Sequence, residues 1–531
     1  MESHDYIIVG AGSAGCALAA RLSEDSSASV LLLEAGERDR SLLIDMPAGW
    51  GVTTGAGHRF NWSYETDAEP ELGGRKIPLP RGKVLGGSSA INGLLYVRGQ
   101  REDYDDWAAT APGWGWADVE PYFRRSEGNL FLQGAGHGQD GPLAVSNLVS
   151  PSPLSAAIIA AAEQAGIPRT DDFNGARQEG VGYYQTTSTG VRRCSAAHAY
   201  LRPAAGRGNL VLRTGVRVTR VLLDGQRASG VEYLDGGSRV SVQARREVIL
   251  CAGAVVSPQL LMLSGIGPAA ELQRHGIAVR RHVPGVGANL QDHLVVPMMW
   301  RLKPGQPSVN RNLSGLGLLP SVMTYLLHKR GVMTMPAAEA GAFIRSRPEL
   351  DRPDLQYHML PLSGDFDSDA KKLHRFPGYT LAPNVCRPTS RGSISLSSAD
   401  PLASPRIAMN YLSTDYDIET TCAGMLWARR IAASPALAAI TEGEIYPGPA
   451  ASTPDALLDY ARRAGTTGHH PVGTCRMGSD ENAVVDMQLR VHGIDGLRVA
   501  DASVMPLLIS GNTNATAIMI GERAADLIRQ A

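Results

Sequence analysis

The chain has 531 residues, 43% of them hydrophobic, and 33 prolines, which suits a globular protein of more than one domain with many ordered loops. Its 51 Lys and Arg balance 52 Asp and Glu, so bulk charge argues for neither nucleic acid nor an anionic membrane as partner. Six cysteines (Cys16, Cys194, Cys251, Cys386, Cys422, Cys475) stand singly without a C-x-x-C pair, which excludes a zinc knuckle or a disulfide framework and reads as reduced thiols in an intracellular enzyme. Met-Glu-Ser-His-Asp at the start has no basic n-region, and no apolar run reaches membrane-spanning length, so the expectation is a cytoplasmic protein with no bound metal.

In chain order, Tyr6-Ile-Ile-Val9 reads as a buried strand, Gly10 to Gly15 as a turn, and Cys16 to Leu22 as a helix. Ser29-Val-Leu-Leu-Leu33 is a second strand ending at Glu34, which completes a β-α-β unit. Residues 35–105 lack periodicity and read as extended loops over a ligand. The runs 209–213, 217–223, 230–233 and 239–243 alternate with turn signals and predict a small antiparallel sheet. A further buried strand, 247–253, precedes a helix over 257–263. Residues 150–200 and 300–465 carry longer helical patterns (155–165 and 417–433) and a strand candidate at 355–359. The expected fold is mixed α/β. A Rossmann-like domain takes 1–150, 200–300 and 466–531, and a second, discontinuous domain takes 151–199 and 301–465, built on an antiparallel sheet flanked by helices.

Gly10-x-Gly12-x-x-Gly15 allows a tight turn, close approach to a pyrophosphate and helix-on-strand packing, with free N–H groups of Ser13 and Ala14 at the helix start. Glu34 lies 34 − 15 = 19 residues past the last glycine, the offset of an acid that binds ribose hydroxyls and repels a 2′-phosphate; Ala35 follows it. NADP is therefore disfavoured, and FAD and NAD remain. A second glycine cluster, Arg81-Gly-Lys-Val-Leu-Gly-Gly-Ser-Ser-Ala-Ile-Asn-Gly-Leu-Leu95, would let backbone lie against a flat ring or a diphosphate.

That cluster resembles the first signature of the glucose-methanol-choline (GMC) oxidoreductases, and Gly253 to Gly267 is similar to their second. The resemblance runs from residue 5 to about 526 and implies FAD as cofactor. Within the family it points toward bacterial alcohol dehydrogenases that use acceptors, with choline and sorbose dehydrogenases near. By position it assigns Glu34 to the adenosine ribose and Val218 to the adenine. Arg81, Gly82, Val84, Gly86, Gly87 and Ser88 fall to the diphosphate and isoalloxazine, with Asn92, Gly93, Leu94 and Leu95 beside the ring. Asp501 and Ala502 fall to the ribityl chain and diphosphate, and Asn512 and Thr513 to the flavin's pyrimidine side. Trp62, Ala252 and Gly253 complete the expected cofactor contacts. Ile91 stands where some members carry a tethering histidine, so the FAD is expected to be non-covalent.

The resemblance also makes His470, in Gly-His-His-Pro-Val-Gly, the active-site base, and Asn514, in Gly-Asn-Thr-Asn-Ala-Thr, its partner. An alcohol would lose its hydroxyl proton to His470 and a hydride to flavin N5, while the Asn514 amide donates to the developing alkoxide. His469 precedes the base where relatives often carry an aromatic residue. His282, His293 and His358 are expected to be structural, and Tyr96 and Arg98 to pack beneath the flavin loop.

The main reading is an alcohol dehydrogenase passing electrons to a quinone or other non-oxygen acceptor. An oxidase forming hydrogen peroxide is the alternative, and a hydroxynitrile lyase of the same fold is a more distant one. Substrate walls are expected from 310–370 and 440–450, with Glu339 and Tyr357 as candidates for a choline cage. Primary alcohols, sugar alcohols, sorbose-like sugars and polyethers stay open at this level, as does the oligomeric state. The apolar run 313–330, which ends in His328-Lys-Arg330, reads either as a packed helix or subunit contact or as an interfacial segment at a membrane.

Overall fold

The computed structural model describes residues 2–134, 136–307, 309–365 and 372–530. Strand β1 (Ser3–Val9) leads through the glycine turn into helix α1 (Ser13–Leu22) and then β2 (Val30–Glu34), whose five side chains are all buried. The apolar runs with no polar alternation are explained by this burial on both faces, as in parallel sheets generally. The sheet continues with β3 (Leu210–Thr214), β4 (Arg217–Asp224), β5 (Arg227–Asp235), β6 (Ser238–Leu250) and β7 (Leu497–Val499), in the spatial order β3-β2-β1-β6-β5-β4 with β7 beside β6.

Two expectations are corrected here. Strand β3 pairs parallel with β2 rather than joining an antiparallel unit. The separate strands read at 239–243 and 247–253 are one strand of 13 residues, β6, ending at Leu250, antiparallel to β5 over Ser238 to Gln243 and parallel to β1 from Gln243 to Leu250. A buried apolar end and a half-exposed alternating end look like two elements in sequence because only their burial differs.

A second, eight-stranded sheet is antiparallel throughout. Its main path runs Thr441–Tyr446, Met298–Leu302, Gly378–Val385, Leu355–Leu360, Ala340–Ile344 and Gly180–Tyr183. Helices Pro153–Gln164 and Asp415–Ala432 pack on it around a core that includes Ile158, Tyr357, Tyr379 and Met425. The short strands Leu294–Val295 and Thr466–Thr467 also belong to this sheet, so it draws on the chain from residue 294 rather than 301. Their register, Leu294 opposite Thr467, sets His293 against Gly468, whose N–H donates to the His293 carbonyl at 2.6 Å. That two-residue ladder brings the histidines together. No helix among the described residues is long and apolar enough to cross a membrane.

Candidate active site

A cavity of about 1660 Å³ runs from the glycine turn of the first sheet to the inner face of the second. Pockets for one small molecule usually span about 300–1,000 Å³, so this one has room for a cofactor and a substrate together. At its first-sheet end Gly10 adopts φ +101, and a Cβ there would lie 2.5 Å from the Cys251 carbonyl oxygen. A Cβ on Gly87 would lie 2.7 Å from the Gly12 Cα, so the two glycine clusters touch and only glycine permits it. Helix α1 opens on Gly12 with no side-chain cap, which leaves its first N–H groups directed to the cavity end.

Glu34 closes β2 with both oxygens engaged, accepting from the Ala11 N–H at 2.9 Å and the Gly36 N–H at 2.8 Å. Burial raises its pKa to about 7 against those donors. Asp501 accepts from Gly253 N–H (2.8 Å), Ser257 Oγ (2.6 Å) and Ser503 N–H (2.8 Å), tying the last crossover to the second signature. Trp62 stacks on Tyr64 and has Lys83 and Arg217 over its ring. An uncapped helix start, glycines where a Cβ would intrude and a carboxylate on the cavity wall at the end of β2 together fit a bound dinucleotide.

Of the residues assigned to the cofactor, Gly10, Gly12, Ser13, Ala14, Glu34, Ala35, Trp62, Arg81, Gly82, Gly87, Ser88, Asn92, Gly93, Leu94, Leu95, Val218, Ala252, Gly253, Asp501, Ala502, Asn512 and Thr513 all line the cavity. Val84 and Gly86 do not. Val84 is fully buried against Ile44 and Phe60, and Gly86 donates its N–H to the Ala11 carbonyl, so both support the wall from behind.

The other end of the cavity holds His470. Three residues fix it. Asp292 is buried and accepts from the His470 N–H (2.6 Å), Thr467 Oγ1 (2.5 Å) and Tyr411 Oη (2.5 Å). His293 meets His470 Nδ1 to Nδ1 at 2.9 Å, and its Nε2 reaches the Cys386 carbonyl at 2.8 Å. Asn512 Nδ2 lies 3.0 Å from His470 Nε2. His469 takes a left-handed φ of 66, which turns His470 inward and leaves His469 at the surface end, its carbonyl accepting from Arg81 at 2.8 Å.

These contacts fix the tautomers. A carbonyl only accepts, so His293 carries its hydrogen on Nε2. Burial pushes the His293 pKa down to about 4, so the ring is neutral and its Nδ1 accepts. His470 must then donate from Nδ1. Burial, with His293, His358, His469 and Arg81 nearby, holds His470 well below the ordinary imidazole range, so its Nε2 carries no hydrogen and accepts from the Asn512 amide.

The expected pairing of His470 with Asn514 is corrected by this geometry. Asn514 opens the helix Asn514–Arg529, and its Oδ1 accepts from Ser13 Oγ at 2.7 Å, locking that helix to α1. Asn512, two residues earlier and outside the helix, supplies the amide beside the base. Asn512 Oδ1 accepts from Gln356 Nε2 at 3.2 Å, which orients the amide with its N–H toward His470. His293 and His358, read from sequence as structural, are also part of the site. His358 lines the cavity, and burial with the His293 neighbour lowers its pKa to about 4. The adjacent Asp292-His293 pair was the available signal, and nothing in its spacing ties it to residue 470 before the ladder forms.

The expected wall residues agree in part: 313–322, 333–338 and 358–362 line the cavity within the expected 310–370, 372–382 and the segment 43–56 add to them, and none comes from 440–450, which holds the sheet's edge strand. Residues 366–370 of the expected wall lie outside the described residues. Glu339 accepts from Ser152 N–H and Ser155 Oγ, and Tyr357 donates to the Gly424 carbonyl, so both are structural and away from the cavity. Tyr96 and Arg98 are buried in an ion network with Glu127, as packing residues. Among the described residues no group of His, Cys, Asp and Glu is placed to hold a metal.

Known proteins share this arrangement. Residues 4–295 and 388–521 match the N- and C-terminal models of the GMC oxidoreductases. The chain is 45% identical to an alcohol dehydrogenase [acceptor] of Pseudomonas putida, over 99% of this chain and 95% of that one. It is equally 45% identical to an oxygen-dependent choline dehydrogenase of Serratia proteamaculans, covering 99% and 96%. Among solved structures, pyridoxine 4-oxidase from Mesorbium loti superposes with a TM-score of 0.89 at 34% identity over the full length of both chains. A formate oxidase variant from Aspergillus oryzae superposes at 0.92 with 27% identity, over 100% of this chain and 98% of that one. With both family models matched and the dinucleotide cradle and buried histidine facing one cavity, the chain belongs to the GMC oxidoreductases, and it is an FAD-dependent oxidoreductase enzyme.

Proposed function

We propose that this protein dehydrogenates a neutral, apolar primary alcohol, with His470 as general base and Asn512 as the oxyanion donor. The carrying observation is the 3.0 Å hydrogen bond from the Asn512 amide to an imidazole Nε2 that carries no hydrogen. A hydroxyl that displaces this contact donates to Nε2 and accepts from Asn512 Nδ2, so one oxygen takes over the hydrogen bond of both groups. As its proton leaves, the imidazolium is braced through Nδ1 by His293, and the negative oxygen keeps the Asn512 N–H. FAD, when bound, supplies the two-electron acceptor for the hydride on the alcohol carbon. The glycine turn, the α1 start, Glu34 and Asp501 would hold its adenosine and diphosphate end, and Asn92 to Leu95 with Thr513 would line the remainder of its site. Ile91 on the cavity wall offers no nucleophile, which supports dissociable FAD.

The cavity walls support this substrate class. Leu43, Met46, Met333, Met335 and Leu360 line the region before His470, and the carboxylates among the described lining residues are Glu34, Glu65 and Asp501, in the first-sheet and 61–82 part of the cavity. A quaternary ammonium would meet apolar carbon there without a counter-charge. Electrons pass on to a quinone or other non-oxygen acceptor. Anaerobic addition of a medium-length primary alcohol should bleach the FAD absorbance, and turnover with a dye acceptor should exceed hydrogen peroxide formation in air. Peroxide matching the turnover would replace the dehydrogenase reading with the oxidase one. Absence of bleaching by every alcohol, with cyanohydrin cleavage, would overturn both.

A further inference from the structure

The walls of the substrate end continue onto the outside of the molecule without changing character. Helix Leu318–His328 turns Leu318 and Val322 toward the cavity and buries Tyr325 against Met46 and Met333. Its other side should be polar if water covered it. Instead Leu316, Leu319 and Leu327 are 98%, 70% and 69% exposed, with Met323 and Leu326 beside them. Positions 319, 323, 326 and 327 share one helical stripe. The neighbouring segment 42–52, joined to this helix through Met46, adds exposed Leu42 and Val52. Of the sixteen large apolar side chains exposed among the described residues, eight lie on these two segments.

Charge says what covers them. Residues 293–338 contain five Lys and Arg and no Asp or Glu, although the whole chain is balanced. Arg311, Lys329 and Arg330 are exposed around the stripe. Asp45, on the neighbouring segment, is engaged by Arg192 at 2.9 Å. A second copy of the chain would bring the same cations against these, a costly juxtaposition. An anionic bilayer meets both features, taking leucines into its acyl boundary and cations at its headgroups.

We propose that the rim formed by 42–52 and 313–330 docks on an anionic lipid surface, with the cavity mouth facing the acyl region. An apolar alcohol then reaches His470 from the membrane without crossing water. This delivery role rests on the alcohol-oxidising reading, whereas the docking surface rests only on exposure and charge.

The test uses the FAD-loaded enzyme and vesicles of phosphatidylcholine, with and without phosphatidylglycerol. The protein should sediment with the anionic vesicles and less with neutral ones or in high salt. Leu316→Ser/Leu319→Ser/Leu327→Ser, none of which lines the cavity, should cut the bound fraction tenfold or more. Lys329→Glu/Arg330→Glu should cut it several-fold. Both variants should keep dye-linked turnover of a water-soluble alcohol within twofold, which controls for folding, while turnover of a long-chain alcohol dissolved in vesicles falls with binding. Wild-type protein that stays in the supernatant, or a leucine variant that sediments unchanged, would overturn the docking surface. So would a dimer by light scattering that the leucine variant converts to monomer, which would assign the patch to a second copy. If the wild type oxidises no alcohol, the functional reading fails while sedimentation still decides the docking.

Discussion

Of two buried histidines in this molecule one is charged and the other neutral, and the difference lies in their neighbours. His137 is clamped between carboxylates, Nε2 to Asp172 and Nδ1 to Glu127, each at 3.0 Å, and Glu127 also pairs with Arg98. The Asp172 bond first, then Glu127, raise its pKa to about 9. His470 is as deeply placed, yet it faces a neutral histidine, an amide and a cation, and its pKa is driven down. Burial sets the stakes and the hydrogen-bond partner decides the sign. A locked imidazolium serves structure, whereas a neutral imidazole with an unprotonated nitrogen is suited to take a proton.

The largest expected effect breaks the comparison at its centre. His470→Ala should lower kcat/KM by about 10²–10⁴ while the protein stays yellow, as removal of a general base does. His137→Gln should leave kcat/KM within about twofold. Next, Asn512→Ala should cost about 10²–10³ in kcat, the range for a lost oxyanion donor. Asn514→Ala should spare the chemistry and loosen FAD retention through Ser13, which steady-state kinetics and flavin release would separate.

A smaller effect concerns the brace. His293→Ala should lower kcat by about tenfold, or about 1.4 kcal/mol of barrier. His293→Asn should recover part of it, because an amide can accept from His470 Nδ1 and donate to the Cys386 carbonyl. A structural role alone would not distinguish the two variants or move the pH profile.

The smallest effects are on stability. His293 and His358 have folded pKa values of about 4 against about 6.5 unfolded, so the unfolded chain takes protons first on acidification. Stability they allow above pH 6.5 is lost between 6.5 and 4. His137 runs the other way, contributing fully below 6.5 and losing that contribution as pH rises through about 9. Denaturant midpoints across pH should show both limbs. His137→Gln should remove the alkaline one and cost about 1–3 kcal/mol at pH 6, because Glu127 and Asp172 lose a charged donor.

Much of the first sheet was legible in the sequence, because β1, the glycine turn, α1 and β2 are contiguous and their periodicities change where the elements do. The residues that line the cavity at the dinucleotide end followed from that contiguity and from the family motifs. His470 was legible as the candidate base. Its partner was not, since Asn512 and Asn514 flank one threonine and only the start of the helix at 514 separates a loop amide from a helix-locking one. His293 was hidden for a different reason. It meets His470 across 177 residues through a two-residue ladder, and no local pattern reports such a pairing. The long β6 was read as two strands because burial changes along it while the backbone does not.

The central claim is that His470 is a neutral base whose Nε2 carries no hydrogen. The most direct test is the anaerobic rate at which a primary alcohol bleaches the bound FAD, followed by stopped flow against pH in the wild type and in His470→Ala. The wild-type rate should hold steady down to pH 6.5 and fall only below it, and the variant should be slower by about 10²–10⁴. A wild-type limb above pH 6.5, or a variant as fast as the wild type, would contradict the account.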